Sequence, residues 1–304
     1  MSNNNIKLGI IYGLSAYLIW GFLPIYWKLL DNVNAGAVLS HRIIWSFIFM
    51  IIFILVTKKG TLFIQQCKDI FANKKVFITI VSASLIISLN WLVFIWAVQN
   101  GYVIQTSLGY YINPLISVLF GVVFLREKLS NLQLFSFILA GLGVLYLTFD
   151  YGVFPWVSFL LAITFASYGL LKKVANVNAV YGLAIETFIV TPIALFYLLI
   201  TFGGDIGFAG TSASEAILLL LSGAATAVPL LLFGLSVINI PLTMAGFLQY
   251  IAPTIMLLIG VFMYNEPFTS AHGVAFTFIW MSLIIFMYSS FRKQNKHRKQ
   301  HLSS

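Results

Sequence analysis

Apolar residues run along this chain in long unbroken blocks, and polar residues collect in the gaps between them. Ten blocks stand out, near 8–28, 37–57, 76–98, 102–125, 130–148, 154–171, 179–200, 214–237, 241–263 and 270–290. An α-helix needs roughly 20 apolar residues to cross a bilayer, and most of these blocks reach that length. Stretches such as LISVLFGVVFL are apolar on every side and lack the period-two alternation of a membrane β-barrel strand. The pattern predicts an all-α integral membrane protein with ten transmembrane helices. Lys7 precedes the first block, but no small-residue cleavage site follows, so that block is expected to stay as the first span. The longest gap of the first half, KKGTLFIQQCKDIFANKK at 58–75, is expected to hold a short helix lying on the inner leaflet.

The blocks also repeat. SLGYYINPLISVLFGVVFLREKLS carries Tyr111, Pro114 and Glu127, and GFLQYIAPTIMLLIGVFMYNEP carries Tyr250, Pro253 and Glu266 at the same spacing. Each pair is 139 residues apart, as are Gly121 and Gly260. Carried back one block, that offset sets Asn90 against Pro229. A slightly larger offset lays Trp20, Pro24 and Lys28 on Phe165, Gly169 and Lys173. The expected organisation is one five-helix repeat over 1–150, a second over 151–291, and a basic tail over 292–304. Five is an odd number, so the second unit must enter the membrane upside down. The result is two inverted 5+5 repeats, an arrangement that secondary transporters use to exchange conformations between their halves.

Composition and charge sharpen this reading. The 304 residues are 61% hydrophobic and only 8% charged, with a mean hydropathy of +0.99, more apolar surface than one soluble core can hide. A net charge of +9 would suit nucleic acid, but the charges are not placed for it. With the N-terminus inside, 15 of the 17 Lys and Arg fall at inner ends, Lys28 falls outside and Arg42 lies within a span. Five of the eight acids fall outside. The positive-inside rule therefore predicts both termini to be cytoplasmic. The tail FRKQNKHRKQHLSS has no apolar face and reads as a lipid-contacting stop-transfer segment. A lone Cys67 excludes an intramolecular disulfide and a Cys-based metal cluster, and no GxxxxGK[ST] loop is present, so no metal or nucleotide cofactor is expected.

Candidate chemistry sits at polar and helix-breaking positions inside the spans. In IWGFLPIYWK, Pro24 removes a backbone bond to Trp20, which reads either as a packing kink with an interfacial belt at Tyr26 and Trp27 or as a bend opening onto a cavity. Arg42 lies about five residues from the outer end of its span and Glu186 some eight from the inner end of its own. That leaves roughly 10 Å of vertical separation, too much for a direct bridge unless the helices tilt. Both are coupling or gating candidates, since ionisable groups inside a span are costly; a snorkelling Arg42 and a protonated structural Glu186 are the rival readings. Asn90 reads equally as helix–helix glue or a substrate contact. Pro114 frees the carbonyl of Tyr110, and Pro253 that of Gln249. With Pro24 and Pro229 these form the expected helix breaks, and paired breaks at matched depth in two inverted units point to a substrate site. Gly141 and Gly143 favour close helix contact in a peripheral span, which with its echo at 270–290 forms a candidate homodimer face.

Taken together, AYLIWGFLPIYWK, SHRIIWSF, LNWLVFIWAVQN, SLGYYINPL with REKL, YGLLKK, IETF, TAVPLLLF, GFLQYIAPT and FIWM resemble the RarD group of the EamA-type drug/metabolite transporters, from about residue 7 to 290. The resemblance implies ten helices in an inverted 5+5 arrangement, the bacterial inner membrane, and a central cavity. It supports Trp20, Asn90, Tyr110, Asn113, Tyr168 and Gln249 as cavity candidates, to which the repeat adds Tyr250. It implies a permease of a small polar or amphipathic metabolite or drug, of the chloramphenicol-sensitivity type. The expected partners are the lipid bilayer, a small-molecule substrate and a proton or other coupling ion, with no nucleic acid. A lipid flippase of the same architecture is the alternative. An integral membrane enzyme fits less well, because His41, His272, His297 and His301 are scattered rather than clustered.

Overall fold

The computed structural model describes residues 3–100, 102–208, 210–265 and 268–302, so Glu266, the second member of the glutamate pair, lies outside the described residues. Its helices are α1 (Asn3–Lys28), α2 (Ala35–Val56), α3 (Gly60–Ala72), α4 (Lys74–Gln99), α5 (Val103–Leu125), α6 (Asn131–Asp150), α7 (Trp156–Ala175), α8 (Ala179–Phe202), α9 (Ala213–Asn239), α10 (Leu242–Leu248), α11 (Ile251–Tyr264) and α12 (Ser270–Leu302). Among the described residues ten helical spans are long and apolar enough to cross a bilayer, α10 and α11 together making one of them. The boundaries follow local chemistry. Asn34 accepts from the amides of Gly36 and Ala37 at the start of α2, and Ser130–Gln133 and Ser212–Glu215 form capping boxes that open α6 and α9. The outer surface is apolar, with Phe149 79% and Phe262 78% exposed, positions that only a lipid environment solvates without cost.

The amphipathic α3 buries Ile70 against Ile80 and Ile185, beside Phe63 and Cys67, and leaves Leu62, Ile64 and Phe71 exposed. Burial raises the Cys67 thiol pKa.

Two helices, α5 and α11, end alike. α5 ends on Arg126 in a left-handed conformation (φ 55°), with its cap amide bonded to the carbonyl of Gly121. α11 ends on Asn265 (φ 54°), bonded in the same way to Gly260. Of the helix pairs that the expected repeat would match, α2–α8 and α6–α12 lie antiparallel, and α1 and α7 meet at one ring contact. Trp20 of α1 meets Phe165 of α7 at 5.7 Å between ring centroids. The start of α2 meets the end of α8 where His41 Nε2 lies 3.0 Å from the carbonyl of Ile206. The start of α6 meets α12 through Ser130–Ser289 and Gln133–Ser290, and its Gly143 lies against Ala275 and Phe278. Gly141 faces open space instead.

The helix breaks are unequal. α1, α5, α8 and α9 run continuously through Pro24, Pro114, Pro192 and Pro229. A proline removes one bond of the ladder, and the bonds on either side hold the helix together. Only the chain before Pro253 is interrupted, at Gln249 and Tyr250, among the described residues. There the Gln249 carbonyl is not left free: the amide of Ala252 donates to it at 3.2 Å, a tightened 3₁₀-type turn.

Candidate functional site

Two polar centres lie inside the helix bundle. The first surrounds Glu186 on α8. Lys172 Nζ donates to Glu186 Oε1 at 2.8 Å and the Tyr168 hydroxyl to Oε2 at 3.0 Å. All three side chains are buried, and this is the one ion pair among the described residues. Gly182 and Gly234 lie beside the Lys172 side chain, at ordinary contact distance from its amine and its Cε. Glu186 and Tyr168 border a chamber of about 10 Å³ that Ser46, Ser88, Trp91 and Thr187 also line. Water is small enough to enter a space of that order, and a metabolite is not.

The second centre is Arg42 on α2, and it has a different character. Its Nε donates to Thr226 Oγ1 of α9 at 3.1 Å. The guanidinium carbon lies 4.4 Å from the ring centroid of Trp27 on α1 and 5.4 Å from that of Trp91 on α4. Tyr26 of α1 and Tyr110 of α5 are within electrostatic range, and the Tyr26 hydroxyl is held by the carbonyl of Leu218. No carboxylate among the described residues pairs with Arg42. Five spans, its own included, thus meet around one cation that lies within cation–π range of two indole rings. Trp27, Trp91, Tyr26 and Thr226 were absent from the candidates read in the sequence. Trp27 and Tyr26 read there as an interfacial belt, and only the fold turns them onto α2.

The remaining candidates fall into packed surroundings. Asn90 Nδ2 donates to the Leu161 carbonyl at 2.9 Å and to Thr164 Oγ1 at 2.8 Å, tying α4 to α7. Trp20 joins Tyr17, Phe165 and Phe233 in an aromatic cluster that Tyr168 completes. Tyr111, Asn113, Gln249 and Tyr250 are buried along the seam where α5 meets α10 and α11. There the Tyr111 hydroxyl is 3.4 Å from the Pro253 carbonyl, and a Cβ on Gly246 would lie 2.9 Å from the Pro114 carbonyl. His41 is occupied structurally, between the Ile206 carbonyl and the Trp45 indole N–H.

One end of the bundle is tied shut by charge. Glu127, just past α5, accepts from the amides of Leu242 at 2.7 Å and Thr243 at 2.9 Å, the start of α10. Lys173 donates to the carbonyls of Val237 and Ile240 at the end of α9. Gly9 of α1 closes onto the same place, where a Cβ would lie 2.7 Å from Ile240.

Comparison with known proteins places this architecture. The model of the EamA-like transporter family matches residues 7–149. An uncharacterized transporter, YojE, of Bacillus subtilis is 46% identical over 95% of this chain and 96% of its own. Protein RarD of Escherichia coli is 38% identical over 98% of this chain and the whole of its own. A Pseudomonas aeruginosa relative named chloramphenicol-sensitive protein RarD is 29% identical over 96% of this chain and 97% of its own. A protein crystal structure with 15% identity superposes with a TM-score of 0.72 over 91% of this chain and 96% of that one, a likeness of fold alone. With ten apolar spans and full-length relatives named as transporters, the chain is a multi-pass bacterial membrane protein and a transporter, and it belongs to the RarD group of the EamA-like family.

Proposed function

We propose that this chain is a secondary permease for a small polar or amphipathic metabolite or drug, working by alternating access between inverted five-helix units at 1–150 and 151–291. The observation that carries the reading is the antiparallel contact of helices that the expected repeat would pair, α2 with α8, α5 with α10–α11 and α6 with α12. Units related in that way can exchange shapes, so that tying one end leaves the other free to open. The end of the family match at residue 149 supports a boundary beside 150. The sequence charge pattern supports cytoplasmic termini in a bacterial inner membrane, and Glu186 with Lys172 and Tyr168 is the candidate proton or coupling-ion site.

Reconstitution tests the reading directly. Protein in liposomes, with chloramphenicol as the first probe because a relative bears that name, is screened with metabolites for thermal stabilisation. Stabilising compounds are then followed in counterflow. Accelerated exchange of a stabilising solute is the expected result. Movement of labelled lipid headgroups without any solute exchange would favour a flippase.

A further inference from the structure

We infer that the Arg42 centre is a recognition site for the carboxylate of an organic monoanion carrying an apolar body. The inference rests on the transporter reading and adds to it the charge of the cargo. A guanidinium is planar, and its two faces and its edge serve different partners. Here the indole of Trp27 lies over the cation at 4.4 Å and that of Trp91 at 5.4 Å, and the Nε–H on the edge is taken by Thr226. The two Nη groups remain, since no other hydrogen bond or ion pair among the described residues engages the Arg42 side chain. Those groups form the fork that matches a carboxylate with two parallel N–H···O bonds.

Electrostatics selects the same ligand. A positive charge held inside a span is costly when nothing neutralises it, and aromatic faces offset only part of that cost. The other buried cation of the bundle interior, Lys172, is already neutralised by Glu186. Among the described residues of the bundle interior, Arg42 is therefore the cation without a carboxylate partner, which suits a single negative charge and leaves a dianion over-charged. Trp27 and Trp91 are the apolar neighbours of the fork, which favours a ligand with an apolar body beside its charge.

The test uses the full-length protein in nanodiscs and matched probes that differ in charge alone: phenylacetate against phenylacetamide, and hexanoate against hexanamide. Tryptophan fluorescence and melting temperature report binding. The acids should bind about tenfold or more tightly than their amides, the factor that one charge-assisted fork supplies. Arg42→Gln should erase that preference, and Arg42→Lys, which keeps the charge but loses the fork, should weaken it. Equal binding of acid and amide by the unaltered protein, or no binding of either acid, overturns the inference without any variant. A response to dimethyl phosphate with none to the carboxylates also overturns it, in favour of a lipid phosphodiester. Counterflow of labelled phenylacetate separates the two readings. Acid-selective binding without exchange would sink the transport reading and leave the anion site standing. Exchange of neutral solutes with no preference for acids would do the reverse.

Discussion

Lys172 and Glu186 are coupled tightly enough that neither can be judged alone. Breaking a buried pair leaves an uncompensated charge, at a typical cost of about 3–5 kcal/mol, whereas replacing both partners with apolar groups is often neutral. Glu186→Gln and Lys172→Met are each expected to lower the melting temperature of the purified protein, and the double variant Lys172→Met, Glu186→Leu to recover most of the loss. Transport then tells structure from coupling. If the carboxylate carries a proton, the double variant stays inactive or loses its pH dependence despite being stable; full activity with unaltered pH dependence would leave the pair a purely structural tie. Glu186 was legible in the sequence because an acid inside an apolar run is conspicuous. Its partner was not. Lys172 stands beside Lys173 at the end of a span, where a basic pair reads as an anchor at the membrane surface, and only the fold sets Lys172 against Glu186 and Lys173 against the end of α9. Arg42 shows the same asymmetry: the cation was visible, while its aromatic surroundings come from α1 and α4 and needed the fold.

Whole helices were read more securely than sites, because long apolar blocks bounded by capping residues admit few alternatives. The ten expected spans coincide with the ten among the described residues to within a turn or so, the block at 154–171 extending to Ala175. Helix contacts were harder to read. Both Gly141 and Gly143 suggested close approach, yet only Gly143 faces α12, where an added Cβ would lie 2.9 Å from the carbonyl of Ala275 and the Cβ of Phe278. Gly143→Leu is therefore expected to separate α6 from α12 and lower the melting temperature, while Gly141→Leu, pointing into open space, should leave it within about 0.5 kcal/mol of the original stability. Equal effects from the two would contradict the packing. The four prolines taught a similar lesson, since a lost amide does not by itself end a helix. The interruption at Gln249 and Tyr250 arises where 3₁₀-type bonds accumulate, the Tyr250 amide turning to Phe247 and the Ala252 amide to Gln249. Pro253→Ala should remove part of the reason for that turn and slow transport more than it alters stability.

For the whole molecule, alternating access requires that the two ends open in turn, and the described structure holds one end with identifiable bonds. A reporter fused after Ser304 should lie inside and one inserted between Asp205 and Ser214 outside, which would make this end cytoplasmic; both on one side would end the inverted arrangement. At that end Glu127 is the link between α5 and the start of α10, through two bonds of 2.7 and 2.9 Å to backbone amides. Gly121 permits the approach, since a Cβ there would lie 2.8 Å from the carboxylate. A hydrogen bond to a charged group is worth about 1.5–3 kcal/mol, so removing the carboxylate should shift a two-state equilibrium by roughly tenfold or more. Glu127→Gln is accordingly expected to expose the buried seam from the cytoplasmic side. Cysteines placed at positions 110, 113 and 249 on a Cys67→Ser background should react faster with an impermeant thiol reagent applied from that side, and more slowly from the other. Bound substrate should protect them if the seam is part of its path. Unchanged labelling from both sides would mean that Glu127 merely caps α10, and that the closure of this end resides in the apolar contacts of Gly9 and Ile240 instead.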